Sequence, residues 1–341
     1  MQNQTPQTEA QHSHHAHNQT PNIERQDHEK FHAEMDRLIR AAEDLRLARM
    51  QEHRGRGFLS MTISIISILI GSAGFGWFFL MQANLLIAVL CMLIAIIPPT
   101  LLHIWAERPL KAYAQEYKTR LMPQMAQALG GLKFHPSRGI SAKIINKTGI
   151  IPPYKTYIAE DCFMGRYKGT KLIFSEARLY GKKNKSQPIF DGIFVLLEVE
   201  NNCIEGHTII TADKNMAAQW QNTRWKKLQN MPVGQEWSNF QIFSDSPKTT
   251  EIMINEQFLK ELSEAANIFD NAPLSAVLFR EKFIFLAIPY ENDMFEASNI
   301  HVPITTKEHA LCCKKEIEQI LEIIDVVDLC NPASKVDHHA T

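Results

Sequence analysis

Apolar positions are spread very unevenly along the chain. Residues 1–27 are built largely from Gln, Asn, His and Thr and carry almost no large apolar side chains. Such a stretch cannot bury enough surface to offset its chain entropy and is expected to be disordered. From His28 to about Glu52 a helical spacing sets in. Phe31, Met35, Leu38, Ala42 and Leu45 recur at intervals of 4, 3, 4 and 3. This is the narrow seam of a coiled coil, and it equally suits an amphipathic helix resting on a membrane or a folded domain. Charge then disappears: no Asp, Glu, Lys or Arg occurs between Phe58 and Ala106. Two apolar runs, 58–81 and 84–106, fill that stretch. At about 1.5 Å per residue each is long enough to cross a hydrocarbon layer roughly 30 Å thick. The pattern predicts a disordered arm over 1–27, an amphipathic or coiled-coil helix over 28–56, and transmembrane helices over 58–81 and 84–106. The first apolar run begins too far into the chain for a secretory signal peptide, and no small-residue cleavage site follows it.

Beyond Glu107 the pattern is that of a globular domain over 107–330, followed by a mobile tail over 331–341. Leu110, Tyr113, Tyr117, Leu121, Met125 and Leu129 share one face of a helix predicted over 107–132. Strands are predicted around Tyr157–Gly165 and Lys171–Leu179, turned by Tyr167-Lys168-Gly169-Thr170. A strongly apolar strand follows from Ile189 to Val199, and Gly206–Thr211 is paired with it across Asn201-Asn202. Further strands fall at Phe240–Phe243, Ala276–Phe279 and Phe283–Ile288, with helices at Thr250–Ile268 and Lys307–Leu329. Strands in runs with helices between and after them predict an α+β cytosolic domain with a mainly antiparallel sheet, attached to a two-helix transmembrane hairpin.

Charge placement orients the hairpin. Arg37, Arg40, Arg46, Arg49, Arg54 and Arg56 precede the first run, and Arg108, Lys111, Lys118 and Arg120 follow the second. The turn Gln82-Ala83-Asn84 carries none, so both termini and the main domain are expected in the cytoplasm. Trp77 and Trp105 suit the two interfaces. From Glu107 onward acidic and basic residues balance, which leaves no electrostatic footprint for nucleic acid. The expected partners are the lipid bilayer and other proteins, or a second copy of the chain through the N-terminal helix.

Small residues form a second pattern inside the apolar runs. Ser60, Ser64, Ser67, Gly71 and Gly74 repeat at 4, 3, 4 and 3 in the first run, and Ala88, Cys91 and Ala95 at 3 and 4 in the second. Helices in lipid pack through small residues that admit close backbone approach, so these faces are expected to meet within one hairpin. Pro98-Pro99 is expected to kink or end the second helix. No acidic or basic side chain lies at depth, which argues against an ion or proton path.

The chemistry is sparse. The chain has no HExxH, GxSxG, GxxxxGK[ST] or GxGxxG pattern, so no cofactor is expected. Its six cysteines (Cys91, Cys162, Cys203, Cys312, Cys313, Cys330) lack metal-type spacing and read as free thiols, and His12, His14, His15 and His17 lack a completing carboxylate or cysteine. No metal site is expected. Trp220, Trp225 and Trp237 bracket the basic run Arg224-Trp225-Lys226-Lys227, an arrangement that grips single strands or headgroups elsewhere but also suits a surface loop. The one candidate for acid–base work or cation binding is Glu160 or Asp161 with Glu176, which neighbouring strands would bring together; an enzyme would use Asp161 and Glu176. Solvated strand-edge carboxylates, or carboxylates bonded to turn amides, are the alternative.

Several segments carry a family likeness. Ala159-Glu-Asp-Cys-Phe-Met-Gly165, Phe174-Ser-Glu-Ala-Arg178, Phe190-Asp-Gly-Ile-Phe194 and Gly206-His-Thr208 stand in the order found in a bacterial family, domain-of-unknown-function family 3137. The chain resembles it over roughly Tyr113 to Tyr290. The resemblance implies two transmembrane helices before a cytosolic domain, a bacterial inner membrane as the location, and no catalytic residues to carry over. It sets Asp161, Gly165, Ser175, Glu176, Gly192 and Phe194 at family-motif positions. The expected function is a membrane-anchored binding or scaffolding module; an enzyme using Asp161 and Glu176 is the alternative.

Overall fold

The structure, a computed structural model, describes residues 20–167, 169–182, 186–199, 204–214, 229–231, 233–292, 294–297 and 299–303, with 317, 320 and 321. The arm before residue 20, the Trp220–Trp225 loop, most of 307–329, the tail and Cys203, Cys312, Cys313 and Cys330 lie outside the described residues.

The first helix, α1 (Thr20–Gly76), is 57 residues long. It begins inside the stretch expected to be disordered, with Pro21 in the first turn, where a missing N–H costs nothing. It also merges the two helices expected at 28–56 and 58–81. Gly55 and Gly57 do not break it, although each costs about 1 kcal/mol in a helix interior. Side chains brace the junction instead: Glu52 accepts from Arg49 at 2.7 Å and from Arg56 at 2.5 Å. The Arg56 guanidinium lies 4.8 Å from the Trp105 ring centre, and His53 Nδ1 lies 2.9 Å from the Ala106 carbonyl oxygen.

A π-helical turn (Trp77–Met81) ends the first apolar run. Ala83 then takes a left-handed φ of 48°, and Asn84 caps α2 (Leu85–Ala106), its side chain accepting from the Ile87 amide. Both apolar helices are long enough to cross a membrane, and only 6% of each apolar window is buried in the chain. That is the reverse of a soluble core helix, which hides its apolar face. Of the two outcomes expected at Pro98 and Pro99, a kink or an end, the end is not seen: α2 runs on through both. Proline removes the donor for the carbonyl four residues back; for Pro98 that is Ile94, and Ser67 Oγ donates to the Ile94 carbonyl at 2.7 Å. The partner helix thus supplies the bond that α2 lacks.

The helix predicted over 107–132 is interrupted. It consists of α3 (Arg108–Glu116), a π-helical turn (Tyr117–Leu121) and α4 (Met122–Gly130). Pro123 follows the turn and cannot donate to the Thr119 carbonyl. Gly131, at φ 63°, closes α4. Tyr113, Tyr117, Leu121 and Met125 are buried in one cluster with Leu38 and Ala42 of α1.

A mixed-order, wholly antiparallel sheet carries the rest of the fold: β1 (Lys133–His135), β2 (Thr156–Tyr167), β3 (Thr170–Tyr180), β4 (Pro188–Glu198), β5 (His207–Thr211), β6 (Gln229–Met231), β7 (Gln241–Ser244), β8 (Ser275–Phe279) and β9 (Phe283–Pro289). Among the described residues the strand order is β1-β2-β3-β4-β9-β8-β5-β7-β6. The domain is α+β, as the pattern predicts. The pairing of Gly206–Thr211 with Ile189–Val199 is not observed. The β8–β9 hairpin inserts between β4 and β5. Backbone bonds from Val199 N to Lys282 O and from Ile204 N to Glu281 O tie both ends of the β4–β5 connection to that hairpin's turn.

Alternation along the strands gives two apolar faces. One packs on α1, α3, α4 and α7 (Glu256–Ile268) through residues such as Phe163, Phe174, Val195, Leu262 and Leu286. The other, with Phe194, Phe243, Val277 and Phe285, is covered by α5 (Ala142–Thr148) and its flanks. The single helix expected over Thr250–Ile268 is two, α6 (Pro247–Met253) and α7, because Asn255 caps the second by accepting from the Phe258 amide at 2.9 Å.

Candidate functional site

The register of β2 slips between Glu160 and Phe163. This β-bulge leaves Asp161 at a left-handed φ of 51°, a conformation that Asp tolerates better than most residues. Of the two carboxylates expected near Glu176, Glu160 stands opposite it and Asp161 does not. Asp161 and Glu176 therefore act on different partners.

Asp161 is fully buried, and its Oδ2 lies 2.7 Å from Lys118 Nζ on the π-helical turn. The same ammonium reaches Glu296 Oε1 at 2.5 Å. Burial pushes the Asp161 carboxyl up to about 6, against the opposing pull of Lys118. Burial would lower Lys118, but its bonds to Asp161 and Glu296 outweigh that and hold it above the usual lysine range. Among the described residues, Asp161 Oδ1 has no hydrogen-bond partner. Glu176 Oε1 accepts from the Met294 backbone amide at 2.7 Å. Between these two ties sits Phe295, buried at φ 58°, with its ring 4.7 Å from Phe163 and 6.2 Å from Phe174. Asp161 through Lys118, and Glu176 directly, thus fasten the same segment, 294–296, onto one face of the sheet.

Lys118 and Glu296 escape sequence reasoning. They lie 43 residues before and 135 residues after Asp161 in the chain, and no local pattern connects them. Glu176, with Glu160, Arg178 and Asp191, also borders a recess of about 10 Å³. That is room for about one water and not for a substrate.

The remaining motif positions serve the sheet. Ser175 is buried and accepts from the Ile140 amide at 3.4 Å. Phe194 stacks on Phe190 and meets Phe285 on the opposite face from Phe295. Gly165 lies against Leu132, and a Cβ at Gly192 would stand 2.2 Å from the Ile288 carbonyl oxygen, so β4 can approach β9 only with glycine there. His207 Nε2 lies 3.0 Å from the Thr148 carbonyl oxygen, and burial lowers its pKa. Cys162 is a buried free thiol pushed up to about 11 by burial, and Cys91 is also free. Among the described residues, no group of three or more His, Cys, Asp or Glu could hold a metal ion.

In the helix pair the structure brings the small residues together. A Cβ on Gly74 would lie 2.8 Å from Cys91 Sγ. One on Gly71 would lie 2.6 Å from Ala95 Cβ and 2.7 Å from the Cys91 carbonyl oxygen. Ser67 reaches Ile94, one turn before Pro98, and Ala88 is fully buried.

Fold and site together define an α+β sheet domain joined to two helices of membrane-spanning length. Residues 188–329 match the family described as Protein of unknown function (DUF3137), which supports the family resemblance. The match begins at β4, so it includes Gly192 and Phe194, while the motif segments on β2 and β3 precede it. It runs on past Pro303, beyond the reach of the quoted motifs. No curated protein and no solved structure matches the chain.

Proposed function

We propose that the chain is a membrane-anchored binding or scaffolding module, with its helix pair in the bacterial inner membrane and both termini and the sheet domain in the cytoplasm. The observation that carries this reading is the continuity of α1. Its apolar half has membrane-spanning length, while its polar half is part of the domain core through Leu38 and Ala42. Arg46, itself buried, donates to the Ile300 carbonyl at 2.7 Å. Anchor and domain are therefore one body. Leu38 and Ala42 are used within the chain, so self-association through this helix would need another of its faces.

The alternative, acid–base catalysis at Asp161 and Glu176, draws on the raised Asp161 carboxyl. Both side chains nevertheless act as ties for 294–296, which favours the binding reading. Green fluorescent protein fused after residue 20 and after residue 341 tests the topology. Fluorescence from both fusions is the expected result, and a periplasmic location of either end would overturn it.

A further inference from the structure

A cavity of about 500 Å³ opens on the α5 face of the sheet. Strand register explains its shape. Lys133, Met164, Ile173 and Leu196 stand side by side across β1 to β4. In the next row Lys171 faces Glu198, which faces Phe283. Ile144 of α5 forms the far wall. Much of this face is buried, but here Ile144, Met164, Ile173 and Phe283 are only half-buried. A concave apolar surface of this volume lies in the range of small-ligand sites.

The mouth is charged with one sign in excess. Glu198 accepts from Lys171 at 3.2 Å and from Lys282 at 2.6 Å, and Lys133 stands at the opposite end of the first row. Two ammonium groups thus hold one carboxylate, and a third stands across the trough. Lysine stems can lie along apolar walls while their heads stay wet. Apolar floor and cationic rim together select an amphiphile with one apolar chain and an anionic head.

We propose that this trough holds the acyl chain of an anionic single-chain lipid, with the headgroup between Lys133 and Lys171. The proposal rests on the membrane-anchored binding reading and names the class of its ligand. Free fatty acids and anionic lysophospholipids share the required chemistry.

Photo-crosslinking of the full chain in phosphatidylcholine nanodiscs tests it. The probes are diazirine-bearing palmitate, lysophosphatidylglycerol and lysophosphatidylcholine, with adducts mapped by peptide mass spectrometry. Adducts on 58–106 report insertion of the spans; their absence would overturn the membrane reading itself. Adducts on the peptides holding Met164 and Ile173 report the trough. Labelling there by palmitate alone points to a fatty acid, and by lysophosphatidylglycerol to a lysophospholipid; either supports the proposal. The K133E/K171E double variant should reduce trough labelling at least fivefold and leave span labelling unchanged. Ile173→Trp, which fills the trough, should do the same, with Ile144→Trp as the second variant should the first misfold. Span labelling without trough labelling would overturn the proposal, as would equal trough labelling by lysophosphatidylcholine or trough adducts indifferent to both tryptophans.

Discussion

Replacing Ser67 with alanine removes a side-chain bond between the two apolar helices, and its cost follows from proline chemistry. Pro98 has no N–H, so the Ile94 carbonyl loses its helical donor, and Ser67 Oγ takes that place at 2.7 Å. In hydrocarbon no water can substitute. Hydrogen bonds between membrane helices are worth about 0.6 kcal/mol on average and about 1.7 at most. At 1.36 kcal/mol per tenfold, that predicts a roughly 3- to 18-fold loss in the folding equilibrium for Ser67→Ala. Pro98→Ala restores a backbone donor to Ile94. In that background the same Ser67→Ala change should cost no more than about 0.3 kcal/mol, leaving at least half of its effect as coupling. Reversible unfolding of the full chain in bicelles, titrated with dodecyl sulfate, measures all four corners of the cycle. An equal Ser67→Ala cost with and without Pro98 would refute the reasoning, because the hydroxyl would then act through packing alone.

Three further tests probe the helix pair and the buried carboxylate. Gly71→Leu should cost about 1–3 kcal/mol as overpacking, since two of the three atoms its Cβ would meet are backbone; Leu69→Ala, at a position 65% exposed, should change little in the same titration. Gly74→Cys should form a disulfide with Cys91 within one chain on mild oxidation in membranes, and coupling only between chains would assign this face to an oligomer. Asp161, raised to about 6 by burial, takes up its proton in the folded chain at a higher pH than in the unfolded one. Its contribution to stability is therefore present at low pH and lost as the pH rises from about 4 to 6. Pulse proteolysis across that range should show Asp161→Asn with a flatter dependence than the parent chain; parallel curves would remove Asp161 as the cause.

Legibility in the sequence divides by the range of the interactions. The apolar runs, the small-residue stripes and the strands on either side of Gly169 are local patterns of period 3.6 or 2, and local patterns suffice to find them. The β4–β5 pairing fails for a different reason. Both segments are good strands six to ten residues apart, and hairpin pairing is the default for such neighbours. The β8–β9 hairpin displaces that default by matching β4 along seven residue pairs, from Gly192 to Glu198. Nothing near residue 200 announces a competitor that lies some 80 residues later.

The carboxylates show the same limit from the side of function. Adjacent strands do bring a carboxylate opposite Glu176, but the bulge at Asp161 and Cys162 makes that carboxylate Glu160. A one-residue shift reverses which face a side chain occupies, so a bulge invisible in the sequence decides the chemistry. Asp161 is delivered instead to Lys118, a residue that the charge pattern explains adequately as a flank of the second apolar run. One ammonium thus serves two readings at once: it follows the second apolar run and it pins segment 294–296 through Glu296. Helices continuous with both apolar runs therefore contribute to the domain's core, through Leu38 on one and Tyr113 on the other.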